Sequence, residues 1–220
     1  MGKISKGLLG GVSGKVGNIV GGNWKGIDYL RVLPANVANP KSPKQVNQRA
    51  KFMTVIRFLQ PLTDFVRTGY KAYATKMSAF NAAMSYNFKH AVIGTYPDYS
   101  IDYTKVKLSR GNLTGAMDAE CSSSASGKLT ISWEDNSGNG TARATDKAAV
   151  VIYNPVKEDA IFVLEAGTRE QGTTTIDVPK TYQNVEVHCF LSFLVMDTLI
   201  NTNSKNAISD SAYAGTVTVA

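Results

Sequence analysis

The sequence predicts an α+β protein: an N-terminal β-hairpin plus about three helices, followed by an all-β sandwich. Three observations carry this. Charge is split, with 17 Lys+Arg against 4 Asp+Glu in residues 1–110 and 7 against 13 in residues 111–220. Texture is split near the same place, because apolar residues recur at helical spacing before Ile101 and fall into short β-branched runs after it. Glycine is concentrated at the start, in a segment that is either a mobile arm or backbone packed where no Cβ fits. The organisation that follows is a glycine-rich arm at 1–15, a basic hairpin-plus-helical module at 16–103 and a β-sandwich at 104–220.

The hairpin is expected at about 16–33. Gly17-Asn-Ile-Val20, Gly21-Gly-Asn-Trp-Lys-Gly26 and Ile27-Asp-Tyr-Leu-Arg-Val-Leu33 read as two strands joined by a glycine-containing turn. Pro34 to Pro40 is a linker. A helix then begins, with Ser42 as cap, Pro43 at the first helical position and Gln45 placed as in a capping box. Phe52, Val55, Ile56 and Leu59 make its apolar stripe. Pro61 ends it, Leu62, Phe65 and Val66 start a second helix, and a third runs from about Met77 to Ala91 and stops before Gly94. Seven short strands follow at Thr104–Ser109, Lys128–Glu134, Ala148–Tyr153, Ala160–Leu164, Thr173–Val178, Val185–Val195 and Tyr213–Val219, separated by polar turns, which is the spacing of a sandwich.

Composition excludes several function classes. Hydrophobic residues make up 43% of the chain, too many for a disordered one. The best candidate for a span, Cys189 to Met196, is strand-length and falls short of the roughly 20 apolar residues that span a bilayer. The glycine-punctuated start has no secretory h-region, so the expected location at synthesis is the cytoplasm. Cys121 and Cys189 form no disulfide framework, Cys189 reading as buried and Cys121 as incidental. His90 and His188 have no metal-ligand spacing around them, and no metal or cofactor is expected. Gly10-Gly-Val-Ser-Gly-Lys15 superficially resembles a phosphate loop, but Leu9 and Val16 occupy positions that such a loop reserves for Gly and for Ser or Thr. No nucleophile elbow or zinc-protease motif is present either, and the expectation is a protein that is not an enzyme.

The positive half supplies the candidate interaction residues: Lys15, Trp24, Lys25 and Arg31 in the hairpin, and Lys44, Arg49, Lys51 and Arg57 on the first helix. Lys3, Lys6, Lys41, Tyr29, Tyr70 and Tyr73 lie near them in sequence. Such a set can meet the acidic half of a neighbouring copy or another structural protein. It can also release counterions from a nucleic-acid backbone while its aromatics stack on bases, which is the alternative function.

Two resemblances add to this. Leu129-Thr-Ile-Ser-Trp133 is similar to the second strand of fibronectin type III and related immunoglobulin-like domains, whose tryptophan packs the core. Val150-Val-Ile-Tyr153 fits their third strand, and Thr173 to Pro179 followed by Tyr182 looks like the passage into a tyrosine corner. The resemblance implies such a sandwich over 128–219, with the topology open. The whole chain also resembles an uncharacterised domain family of bacteria of the Bacteroides group and their mobile elements. The carrying residues are Gly2-Lys-Ile-Ser-Lys-Gly7, Gly14-Lys-Val-Gly-Asn-Ile-Val20, Trp24-Lys-Gly26, Arg31, Asn39-Pro-Lys-Ser42, Gln48-Arg-Ala-Lys-Phe52, Phe58-Leu-Gln-Pro61, Asn81-Ala-Ala-Met-Ser-Tyr86, Gly94-Thr-Tyr-Pro97 and Asp135-Asn-Ser-Gly138. The layout Asn39, Pro40, Ser42, Gln45, Arg49 is similar to segments of phage-associated structural proteins. The function expected is therefore a structural, self-associating component of a virion or phage-like particle.

Overall fold

A computed structural model describes residues 3–4, 11–24, 26–36, 39, 41–196 and 205–220. Most of the expected arm, Lys25 and Pro40 lie outside them. By contacts the chain divides into two units, 1–45 and 46–220.

The first unit is one antiparallel sheet of four strands in sequence order, β1 (Lys3–Ile4), β2 (Val12–Val16), β3 (Ile19–Trp24) and β4 (Ile27–Val32). The expected hairpin is present as β3 and β4, and β2 extends it. Gly17 and Gly26 take positive φ in the two-residue connections, as tight hairpin turns require. Gly21 answers a different need. A Cβ there would lie 2.1 Å from the carbonyl oxygen of Val12, so only glycine lets β2 approach.

The second unit begins inside the first turn of α1 (Pro43–Leu59). At its start the Gln45 side chain reaches back and accepts from the Ser42 N–H (3.3 Å) and hydroxyl (3.0 Å). After Pro61 come α2 (Thr63–Gly69) and α3 (Ala79–His90), the latter capped by Ser78 Oγ accepting from Asn81 N. A small hairpin of β5 (Val92–Thr95) and β6 (Asp98–Ile101) follows where no strands were expected. Conversely, the strand expected at Thr104–Ser109 does not form. The Asp102 carboxylate accepts from the Thr104 N–H and hydroxyl and turns the chain into a 3-10 turn. The following backbone is then held by side chains, Lys107 N by Asn87 Oδ1 (3.0 Å) and Leu108 N by Ser211 Oγ (2.8 Å), instead of by a neighbouring strand.

The remaining strands are β7 (Met117–Ala125), β8 (Lys128–Glu134), β9 (Lys147–Asn154), β10 (Asp159–Thr168), β11 (Thr173–Asp177), β12 (Glu186–Leu194) and β13 (Ala212–Thr218). They form two antiparallel sheets, ordered β10-β9-β12-β13 and β11-β8-β7. Six of the seven expected strands are therefore present. The first strand of the sandwich is the Ser-rich β7, which carries little β propensity and pairs because β8 offers it an edge.

Leu129, Ile131 and Trp133 from one sheet meet Val150, Ile152, Leu191 and Phe193 from the other in a shared core. The opposite face of β9 and β12 is also covered. Val151, Tyr153, Phe190 and Leu194 join Phe58, Leu59, Phe65 and Ala83 of the helices in a second core. The unit thus has three layers, helices on a central sheet on an outer sheet. Its helices and its strands belong together, although charge and texture change near residue 104. Charge segregates on the surface, whereas contact follows the apolar faces. Trp133 and Tyr182 are both buried, yet no hydrogen bond satisfies the Tyr182 hydroxyl among the described residues. The backbone bond that a tyrosine corner makes is therefore absent among the described residues. Burial and the neighbouring Asp159 push that hydroxyl up to about 12.

Candidate interaction faces

The sheet of the first unit has two unlike faces. Strand alternation and register place Lys15, Val20 and Arg31 in one row across β2, β3 and β4, with Tyr29 over Gly22 and Trp24 beside Ile27 on the same side. Tyr29 lies so close that a Cβ on Gly22 would come within 2.9 Å of its hydroxyl. This face joins two cations to three large exposed apolar or aromatic side chains, Trp24 (51% exposed), Ile27 and Tyr29. Three of the four hairpin residues singled out in the sequence, Lys15, Trp24 and Arg31, are thus brought together. The fourth, Lys25, is outside the described residues.

The other face carries Val16, Ile19 and Val32 in one row and Leu30 opposite Gly21. All four apolar side chains are exposed, Val32 by 65%. On it the Asn23 amide donates to Asp28 Oδ1 at 2.7 Å. Among the described residues of this unit only Gly21 is buried. A sheet normally buries one apolar face against another layer, and this one buries neither. Strand β4 is an edge, and every one of its residues is exposed. Its apolar residues at both parities, Ile27 and Tyr29 with Leu30 and Val32, are the signal in the sequence that both faces need a partner.

The helix residues do not converge. Arg49 and Arg57 sit on the outward side of α1 around Met53, opposite the buried Val55, Phe58 and Leu59. Lys51 turns inward, half-buried, with its Nζ 4.9 Å from the centre of the Phe88 ring. Lys44 is exposed in the first turn. Tyr70 and Tyr73 lie together, with ring centres 6.1 Å apart. Tyr70 is buried with its hydroxyl donating to Lys107 O (3.0 Å), and burial raises its pKa. Tyr73 is half-buried against Arg110.

Sequence reasoning passed over Arg169. It is fully buried, and its guanidinium bonds Asp146 (3.1 Å), Asn136 Oδ1 (2.5 Å) and the carbonyl of Thr114 (2.8 Å) while lying 3.7 Å from the Phe193 ring centre. Every direction of the fork is satisfied, so this is a structural clamp. Burial lowers its pKa and Asp146 opposes that. No group of three or more His, Cys, Asp or Glu that could hold a metal occurs among the described residues, and no helix among them is long and apolar enough to cross a membrane.

The outer face of β11-β8-β7 is complementary in charge to the basic side of the first unit's sheet. Glu120, Ser132 and Thr173 form one row, Ser122, Thr130 and Thr175 the next, with Glu134 and the Lys128–Asp177 pair at the ends.

Residues 11–208 match the model of a family of unknown function, DUF6266. No curated protein matches the chain. Among solved structures, the fibronectin type III domain of human collagen alpha-1(XX) chain is similar over 50% of this chain and 87% of its own length, at 12% identity and a TM-score of 0.32.

Proposed function

We propose that this chain, which belongs to the DUF6266 family of unknown function, is a non-enzymatic assembly protein that self-associates through its first unit. One observation carries the reading: a four-stranded sheet with apolar side chains exposed on both faces and an uncovered edge strand, β4. Exposed edges and apolar patches of this kind invite strand addition or docking. The charge split selects the occupant, a second copy of the chain. The Lys15, Arg31, Trp24 and Tyr29 face of one copy meets the Ser, Thr and Glu face of β11-β8-β7 in the next. Such a contact is heterologous, so it propagates into rings or filaments and suits a particle component. A virion or phage-like particle is the setting we propose, supported by the resemblance of the Asn39 to Arg49 layout to phage structural segments.

The test is molecular mass by light scattering at low and high salt. Screening shortens from about 10 Å at 0.1 M to about 3 Å at 1 M. The wild type should be oligomeric at low salt and smaller at high salt. Lys15→Glu with Arg31→Glu should give a monomer at low salt, and reversing Glu120 and Glu134 to Lys in that variant should restore part of the mass. A wild type that is monomeric at both salts overturns the reading.

The same basic, aromatic face supports nucleic-acid binding as a second reading, because cations beside stacking rings are what single strands need. Sub-micromolar DNA binding at physiological salt by a monomer would establish it in place of assembly.

A further inference from the structure

The two buried or half-buried arginines of the second unit are treated differently by their surroundings. Arg169 spends its donors on four protein acceptors. Arg110 is half-buried, and its guanidinium makes no hydrogen bond or ion pair among the described residues. It lies between two rings, its Cζ 4.8 Å from the centre of Tyr73 and 4.6 Å from that of Tyr86. The backbone beneath it is fixed on both sides. Arg110 N donates to Gly69 O (3.0 Å), Ser109 Oγ to Ser209 O (2.9 Å) and Gly111 N to Asp210 Oδ1 (3.1 Å). Both rings pack against the guanidinium, and its five N–H donors are used by no hydrogen bond among the described residues.

Arg110 lines a cleft of about 370 Å³ between α3 and the Tyr70–Met77 segment. Lys89 and His90, in the last turn of α3, also line it, and they offset the negative end of that helix. Lys205 stands nearby with its Nζ 4.9 Å from the Tyr73 ring centre. No carboxylate lines the cleft among the described residues. Asp210 accepts from Gly111 N and faces Lys107 at 3.7 Å, so its charge is already engaged.

A held guanidinium with unused donors, further cations and no competing carboxylate among the described residues constitute a receptor for an oxyanion. We propose that the cleft binds a phosphate group of a small ligand, gripped through two N–H donors of Arg110 and supported by Lys89 and Lys205. The clustered positive charge favours the phosphate dianion over a singly charged carboxylate. This site is separate from the self-association reading and stands or falls without it.

Inorganic phosphate is the probe, titrated into the full chain at low ionic strength and followed by calorimetry and by the ring protons of the tyrosines. Saturable binding is expected, shifting Tyr73 and Tyr86. Arg110→Gln should weaken it at least about tenfold, because bidentate charge-assisted bonds are lost. Arg110→Lys, which keeps the charge and loses the fork, should be intermediate, and Arg57→Gln, which removes the same charge elsewhere, should bind as wild type. If Arg110→Gln fails to fold, Lys89→Gln with Lys205→Gln carries the test and should weaken binding several-fold. Acetate should bind much more weakly. Absence of saturable phosphate binding, equal loss in Arg57→Gln or equal affinity for acetate overturns the proposal.

Discussion

The indole Nε1 of Trp133 donates a 2.8 Å hydrogen bond to the carbonyl oxygen of Arg169, tying β8 to the turn after β10. The same indole packs edge-on against Phe193 of β12 at 5.8 Å between ring centres. One side chain thus links both sheets and orients the backbone of the buried arginine.

Trp133→Ala should therefore cost about 3–5 kcal/mol of stability, as deletion of a large buried aromatic does. Denaturant unfolding measures the loss. In a Trp24→Phe background the emission of Trp133 should be blue-shifted and resist acrylamide, whereas Trp24 in a Trp133→Phe background should be fully quenched. Full quenching of Trp133 would contradict its place in the core.

Asp146 and Arg169 should behave as a unit. Removing one partner strands a charge in a site where both side chains are essentially inaccessible, so Asp146→Ala or Arg169→Met should each cost about 3–5 kcal/mol. The double variant should be less destabilised than the sum of the singles, because no unpaired charge remains. Additive losses in a double-mutant cycle would show that the pair is not coupled.

Much of this architecture was legible in the sequence, for physical reasons. Ser42, Pro43 and Gln45 mark the start of α1 because capping is local chemistry, and Trp133 stands out because its strand alternates. The layering was harder to read. Ala148 to Tyr153 is a continuous apolar run and Val187 to Leu194 is interrupted only by His188 and Ser192, a pattern that strands show when both faces are buried. That pattern was the available sign that helices cover the central sheet. Arg110 and Arg169 gave no local sign at all, since what distinguishes them is which distant acceptors their backbones bring near. At the interaction face, Lys15, Trp24 and Arg31 share a side only through the register of three strands.

The two cysteines should differ sharply in reactivity. Cys121 on β7 is half-buried, and the neighbouring Cys189 thiol holds its pKa below the ordinary 9.0. Cys121 in turn, with burial, pushes Cys189 far up. Brief alkylation of the folded protein at pH 8 should therefore modify Cys121 first and leave Cys189 untouched, as peptide mass spectrometry would show. Equal labelling of both would contradict the arrangement.

Stability should fall as pH drops from neutral to about 5, and His188 should account for part of that fall. Its ring stacks on Tyr103 at 3.6 Å, its Nδ1 is 2.9 Å from the Tyr213 hydroxyl, and only 8% of it is exposed. Burial holds its pKa below the ordinary 6.5, with Glu186 opposing. The folded protein thus keeps His188 neutral where the unfolded chain already takes up a proton. Its contribution is complete above pH 6.5, is lost as pH falls through the interval down to the depressed folded value, and then levels off. Asp102 and Asp135, whose pKa values are lowered from 3.8 mainly by hydrogen bonds from Thr104 and Ser137, lose their contributions only in more acidic solution, outside this window. Denaturation midpoints at pH 7.5 and 5 should therefore lie closer together in His188→Gln than in wild type. An unchanged gap would show that His188 is not the titrating group.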